Sequence, residues 1–168
     1  LSLGIYSQLA PKMIPSENSL SEPMSMSDSI ERLQSFIEEN PSDFQALKML
    51  GLAQIGIGNV NESIKAFESA YLINSKDIDL LLQFASAIAA SQDGQFDGKS
   101  KVLIDEALSL DSQSIQVLYF SGIVSAHEGN LNDAIEFWEK ALYLMSNDHP
   151  DRNIIEEALG TVLNLQVK

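Results

Sequence analysis

The 168-residue chain is long enough for one helical array or one globular domain, and its 45% hydrophobic residues can supply a buried core, which excludes general disorder. Its 10 Lys and Arg against 24 Asp and Glu give a net charge of −14, so its field repels nucleic acid and anionic lipid headgroups and attracts basic partners. The absence of cysteine excludes disulfides, thiolate zinc sites and a C-x-x-C-H haem attachment.

The N-terminal segment has the composition of a linker. Pro11, Pro15 and Pro23 lie there among a cluster of serines, without the periodicity of a helix. We therefore expect a flexible, protease-sensitive linker over 1–26 and a folded domain over 27–168.

A first helix is predicted over about 28–40. Asp28 followed by Glu31 resembles a capping box, and Asn40-Pro41 ends the pattern. Because this helix precedes the repeats described next, we expect it to cap the front of the domain. Its apolar face consists of Ile30, Leu33, Phe36 and Ile37.

An internal repeat organises the middle of the chain. The segments around Leu50-Gly51 and Ser121-Gly122 agree at the flanking positions, and a third copy lies between them once a short insertion at 93–98 is allowed. We expect that insertion to form a long loop, since its glycines interrupt both helical patterns. The matched pairs are Leu47 with Leu118, Gly58 with Gly129, Ser63 with Ala134, Phe67 with Trp138 and Ala70 with Ala141, and the middle copy supplies Leu81, Phe84, Ala85, Ser100, Ile104 and Ala107.

The three repeats, 44–77, 78–114 and 115–148, resemble the tetratricopeptide repeat (TPR), a helix pair that recurs over about 34 residues. A last apolar stripe predicts a rear capping helix over about 150–166. The resemblance implies an all-α, right-handed superhelical TPR solenoid with a capping helix at each end. Small residues that admit a close helix approach are Gly51, Ala85 and Gly122, the residues that fill the gaps are Phe67, Ile104 and Trp138, and the rear stripe is Ile154, Ile155, Ala158, Leu159, Val162 and Leu163.

The second and third repeats carry a more specific pattern. It comprises the apolar run 80–90, the Gly-rich insertion 93–98, the helix 103–111, Gly122, the turn 128–131 and the Ala-Ile-x-x-Trp-Glu-x-x-Leu helix 134–142. This pattern resembles the CcmI/CycH type of cytochrome c maturation protein, over roughly 28–165 and more faintly over 3–15.

Membership of that family implies a domain that holds apocytochrome c by its C-terminal helical segment and delivers it to components of the haem ligation complex. It also implies a periplasmic location and a tether to the bacterial inner membrane. The chain starts at Leu1 rather than Met, so we expect any signal peptide or anchor to lie in an upstream piece. The chain itself has no run of about 18 apolar residues.

The first helix of each TPR faces the concave side, so one set of repeat positions predicts a peptide-binding groove. An amphipathic helix is the matching ligand for such an apolar lining, although some of these residues could instead pack between helices. The predicted site residues are Gln45, Lys48, Leu52, Ile55, Leu82, Ser86, Gln116, Tyr119, Ile123 and His127, and the same positions include Gly56, Asp79, Ala89, Ala90 and Ala126.

Other functions are less well supported by the residues. A carboxylate clamp needs Lys, Arg and Asn from successive helices, and only Lys48 is suitably placed. His127 is a lone exposed histidine, so we expect neither a haem contact nor any other cofactor there. No catalytic, phosphate-binding or metal-ligand spacing is present, and we expect no enzyme. A general TPR scaffold or assembly factor of the bacterial envelope remains the alternative.

Overall fold

The computed structural model describes residues 25–166, and these form eight α-helices without a strand. Each helix packs mainly on its neighbours in the chain, which is the contact pattern of a solenoid. None of these eight helices is long and apolar enough to cross a bilayer. In chain order they are α1 (Met26–Glu39), α2 (Phe44–Gly56), α3 (Val60–Ile73), α4 (Ile78–Ser91), α5 (Gly98–Leu110), α6 (Ile115–His127), α7 (Leu131–Leu144) and α8 (Arg152–Gln166).

The front helix begins earlier than the sequence predicted. Ser25 is its N-cap: the Ser25 hydroxyl accepts from the Asp28 N–H at 3.1 Å, and the Asp28 carboxylate accepts from the Ser25 N–H at 3.3 Å. The predicted capping box of Asp28 and Glu31 is therefore wrong, because Asp28 is the third helical residue and not the cap. Ser25 caps the helix and Met26 is its first residue, and the rest of the predicted linker lies outside the described residues.

The first helix of each repeat begins at a side-chain cap. Asp43 accepts a hydrogen bond from the Ala46 N–H at 2.8 Å, and Asp77 accepts one from the Leu80 N–H at 2.7 Å. Ser114 occupies the same place before α6. Short polar side chains thus satisfy backbone N–H groups that a helix start leaves without partners.

The predicted long loop of the second repeat is confirmed. Helix α4 ends at Ser91 and α5 begins at Gly98. The chain turns through left-handed backbone at Asp93 and Gly94, with φ of 55° and 84°. The Phe96 ring anchors the loop, since its centroid lies 5.7 Å from that of Phe120 in α6.

The core is built from the residues that define the repeat. The gap-filling side chains Phe67, Ile104 and Trp138 are only 1%, 0% and 3% exposed. One cluster joins the first two repeats, and a second joins the third repeat to α8. Burial of equivalent positions explains why the repeat is visible in the sequence.

The two repeat glycines lie against aromatic rings. A Cβ at Gly51 would meet the Phe67 ring, and one at Gly122 would meet the indole of Trp138, both well inside van der Waals distance. The Trp138 Nε1–H also donates to the Tyr119 backbone carbonyl at 3.1 Å. In these two repeats the absent glycine side chain makes room for the ring.

The rear helix α8 begins at Arg152, slightly after its predicted start. Ile155 and Val162 are buried in the rear cluster, and Arg152 Nη1 donates to the Leu142 carbonyl at 3.2 Å. The predicted apolar stripe is only partly covered, because Ile154 remains 51% exposed. The helix therefore caps the third repeat while leaving apolar surface at its edge.

Candidate peptide-binding groove

A cavity of about 470 Å³ lies along α2, α4 and α6, the first helices of the three repeats. Its volume is in the range of ligand sites in proteins. Six of the ten predicted site residues line it, namely Leu52, Ile55, Leu82, Ser86, Gln116 and Tyr119, together with Phe67, Asp79, Gln83, Ala90 and Phe120. We call this cavity, defined by these residues, the main groove.

The main groove has an apolar wall that solvent reaches. Leu52 and Ile55 of α2 are 44% and 38% exposed, whereas Leu82 in the floor is 5% exposed. The Ser86 hydroxyl donates to the Leu82 carbonyl at 2.8 Å, so its proton is already used within the chain. A ligand that covers exposed leucine and isoleucine side chains beside a cavity removes apolar surface from water, which favours binding.

Three lining residues lay outside the predicted set: Phe67, Gln83 and Phe120. Helical spacing could have identified Gln83, because it follows Asp79 by one turn and precedes Ala90 by two. Phe67 reaches the main groove from α3, which the repeat positions did not indicate. Ala89 is wrong as a predicted lining position, since it is 2% exposed and absent from the lining.

Lys48 is committed to contacts within the chain. Its Nζ lies 2.8 Å from Asp77 Oδ1 and 3.7 Å from Asp79 Oδ2, and its side chain is 13% exposed. The Lys48 Nζ also lies 5.9 Å from the centroid of the Phe44 ring. Lys48 is not among the residues that line the main groove, and its charge links α2 to the start of α4.

The Lys48–Asp77 pair makes stability depend on pH. Burial acts to raise the pKa of the Asp77 carboxyl, but hydrogen bonds from Lys48 and the Leu80 N–H outweigh it and hold that pKa below its usual value. A lowered pKa in the folded state contributes stability above the unfolded-state value, about 3.9, which is lost as pH falls through the folded-state value.

Asp77→Asn keeps an N-cap side chain but loses the charge. We expect it to lower the free energy of unfolding at pH 7 by about 1 kcal/mol and to make that free energy fall less steeply toward pH 2. Urea unfolding from pH 7 to pH 2 measures this. Parallel declines for the variant and the unchanged protein would contradict the assignment.

Gln45, Ile123 and His127 also lie away from the main groove. Gln45 is exposed at the start of α2, and Ile123 packs against the rear cluster. The His127 ring is exposed and meets the Phe96 ring edge-on, with centroids 6.4 Å apart, beside a separate cavity of about 210 Å³. The structure thus brings together six predicted residues and assigns these three to other surroundings.

Helix α8 adds a smaller cavity next to the main groove. This cavity, of about 130 Å³, shares Gln116 and Tyr119 with the main groove and is bounded by Ile154 and Ile155. The apolar surface therefore continues from α2 to the rear helix. The sequence did not predict this extension, because the tilt of α8 depends on its packing against α7.

The main groove is a largely apolar binding surface that carries a few polar side chains. Its lining contains no Lys, Arg or His, and Asp79 supplies a carboxylate. Within residues 25–166 no cluster of His, Cys, Asp or Glu is suited to hold a metal ion. The lining lacks the cationic side chains that would grip a peptide carboxylate.

Comparisons with known proteins agree with this architecture. The chain is 29% identical over 134 residues to the cytochrome c-type biogenesis protein CycH of Pseudomonas aeruginosa, covering 80% of this chain and 33% of that protein. It is 24% identical over 127 residues to CcmH of Escherichia coli K12, covering 76% of this chain and 36% of that protein. The chain thus spans about one third of the length of these relatives.

Among solved structures, the crystal structure of MamA superposes with a TM-score of 0.71 at 18% identity, covering 84% of this chain and 78% of that one. This likeness supports the TPR solenoid fold. A family profile, that of the cytochrome c-type biogenesis protein H TPR domain, matches residues 6–152. Since that match includes most of the sequence, the chain belongs to the family of cytochrome c-type biogenesis protein H TPR domains.

Proposed function

We propose that this domain binds apocytochrome c during c-type cytochrome maturation, by holding its C-terminal helical segment in the main groove. The observation that carries the proposal is the exposed apolar wall of Leu52 and Ile55 beside a cavity of about 470 Å³. An amphipathic helix laid in a groove buries such a wall with its own apolar face. Membership of a cytochrome c biogenesis family supports the identity of the ligand.

The domain acts in this proposal by binding and not by catalysis. Its partners are apocytochrome c and the components of the haem ligation complex that receive it. The net charge of −14 attracts a basic partner, and salt limits this attraction to a screening length of roughly 8 Å under physiological conditions. The proposed location is the periplasm, with the full-length protein tethered to the inner membrane, as family membership suggests.

The test replaces one residue of the apolar wall by an acid. Leu52→Asp is expected to weaken binding of an apocytochrome c C-terminal peptide by roughly tenfold to hundredfold, since it removes about 1.5–3 kcal/mol of apolar burial. Leu52 is 44% exposed, so the substitution leaves the core intact. Fluorescence titration measures affinity, and circular dichroism reports folding.

The matched control is Leu72→Asp. Leu72 is 80% exposed near the end of α3 and does not line the main groove. We expect this variant to bind as the unchanged protein does. Equal loss in both variants, or no loss in folded Leu52→Asp, would remove the main groove from the mechanism. Equal affinity for peptide and folded holocytochrome would contradict a role in holding the unfolded chain.

A further inference from the structure

Gln83, one of the residues that line the main groove, carries a buried hydrogen-bond acceptor without a partner. The Gln83 Oε1 atom is shielded from solvent, and no donor within residues 25–166 bonds to it. Buried polar atoms in folded proteins are nearly always paired, so an unpaired one in a cavity wall calls for an explanation. The lining position of Gln83 in α4 suggests that a ligand supplies the missing donor.

A carboxylate lies one helical turn away. Asp79 and Gln83 are separated by four residues in α4, which places them on the same face of the helix, and both line the main groove. The Asp79 side chain is 67% exposed. Lys48 forms a salt bridge with Asp79 at 3.7 Å and a closer one with Asp77 at 2.8 Å. Because most of the Asp79 side chain is exposed, its carboxylate can bind a second cation from outside.

The rest of the lining offers these acceptors no cationic partner. It contains no cationic side chain, and the Ser86 proton is used on the Leu82 carbonyl. A ligand that presents a positive group here would meet the Asp79 carboxylate among apolar side chains, and it would reach the Gln83 oxygen once the amide group rotates. A ligand with only methylene groups at this place would leave the Gln83 oxygen without a partner.

We propose that Asp79 and Gln83 determine specificity by selecting a helix that carries an arginine within its apolar face. The inference rests on the proposed function and names the chemistry of the bound segment. A guanidinium has five N–H donors in a rigid fork, enough to bond both acceptors, and its methylene stem packs along the apolar wall. The terminal torsion of glutamine is broad, so the Gln83 oxygen turns into the main groove as the donor arrives.

The experiment combines variants of the groove with variants of the ligand. The probes are C-terminal helical peptides from c-type cytochromes. Each arginine is replaced in turn by norleucine or by citrulline, which keeps N–H donors without the charge, and each lysine is replaced in turn by norleucine. Gln83→Met removes the acceptor at similar volume, and Gln83→Glu adds a charge. Gln92→Met is the control, because Gln92 is exposed just after α4 and does not line the main groove.

We expect one arginine whose change to norleucine weakens binding about tenfold or more, with citrulline intermediate. Gln83→Met is expected to lower the affinity for the arginine peptide about tenfold and to leave the affinity for the norleucine peptide unchanged. Gln83→Glu is expected to raise the affinity for the arginine peptide alone. Gln92→Met should bind both peptides as the unchanged protein does. Thermal melts confirm that each variant is folded.

The outcomes separate the two proposals. Binding that is insensitive to Gln83→Met and to every arginine replacement would overturn this inference and leave the proposed function standing. Dependence on a lysine in place of an arginine would overturn the assignment of a guanidinium. Failure of every peptide to bind the unchanged protein would overturn the proposed function and this inference with it.

Discussion

Replacing Trp138 with alanine is expected to lower the free energy of unfolding by about 3–5 kcal/mol. The indole is 3% exposed and joins the third repeat to α8 through the rear cluster. Its loss opens a cavity that rigid helices fill only in part, and it removes the hydrogen bond from Nε1 to the Tyr119 carbonyl. Urea unfolding followed by circular dichroism measures the change.

Tyr143→Ala is the control for Trp138→Ala, since both remove an aromatic side chain from α7. The Tyr143 side chain is 88% exposed, so its removal is expected to change the free energy of unfolding by no more than about 0.5 kcal/mol. Similar losses in the two variants would contradict the assignment of the loss to the buried contact of Trp138, because alanine raises the helix propensity of α7 in both.

The second large effect is that two glycine-to-alanine substitutions change the free energy of unfolding in opposite directions. Gly122→Ala is expected to destabilise the domain by about 2 kcal/mol, because its methyl group meets the Trp138 indole and overpacking exceeds the gain in helix propensity. Gly160→Ala in α8 is expected to stabilise by about 0.5–1 kcal/mol, since nothing lies within 4 Å of the added atom. Thermal and urea unfolding measure both.

A double variant tests the cause of the Gly122→Ala loss. The second repeat has Ala85 and Ile104 where the third has Gly122 and Trp138. In a Trp138→Ile background, Gly122→Ala is expected to be neutral or stabilising, a coupling of about 2 kcal/mol in a double-mutant cycle. Additive losses would contradict the steric explanation and would indicate a backbone effect at Gly122.

Periodicity was sufficient to predict the helices and the core. Equivalent core positions repeat their residue types because each must fill the same space between neighbouring helices, as Phe67, Ile104 and Trp138 do. The insertion at 93–98 was predicted because its glycines break the pattern on both sides. The predicted capping box of Asp28 and Glu31 was wrong, because Ser25 exchanges the capping hydrogen bonds with Asp28.

The main groove was predictable in part. Leu52, Ile55 and Tyr119 line it as the repeat positions indicated. Lys48 and Ile123 occupy similar positions, yet their side chains turn to Asp77 and to the rear cluster. A repeat position identifies the face of a helix, but the partner that a long or apolar side chain chooses depends on the neighbouring helix.

The sequence by itself determined the repeat, the order of the helices and the residues of the core, because helical periodicity and the burial of equivalent positions are written in residue types. Only the tertiary structure decided which side chains face the main groove, that Lys48 is neutralised, and that the Gln83 oxygen has no donor. Those features arise where successive repeats meet, and small differences in helix packing change the contacts of a side chain without changing the periodic pattern.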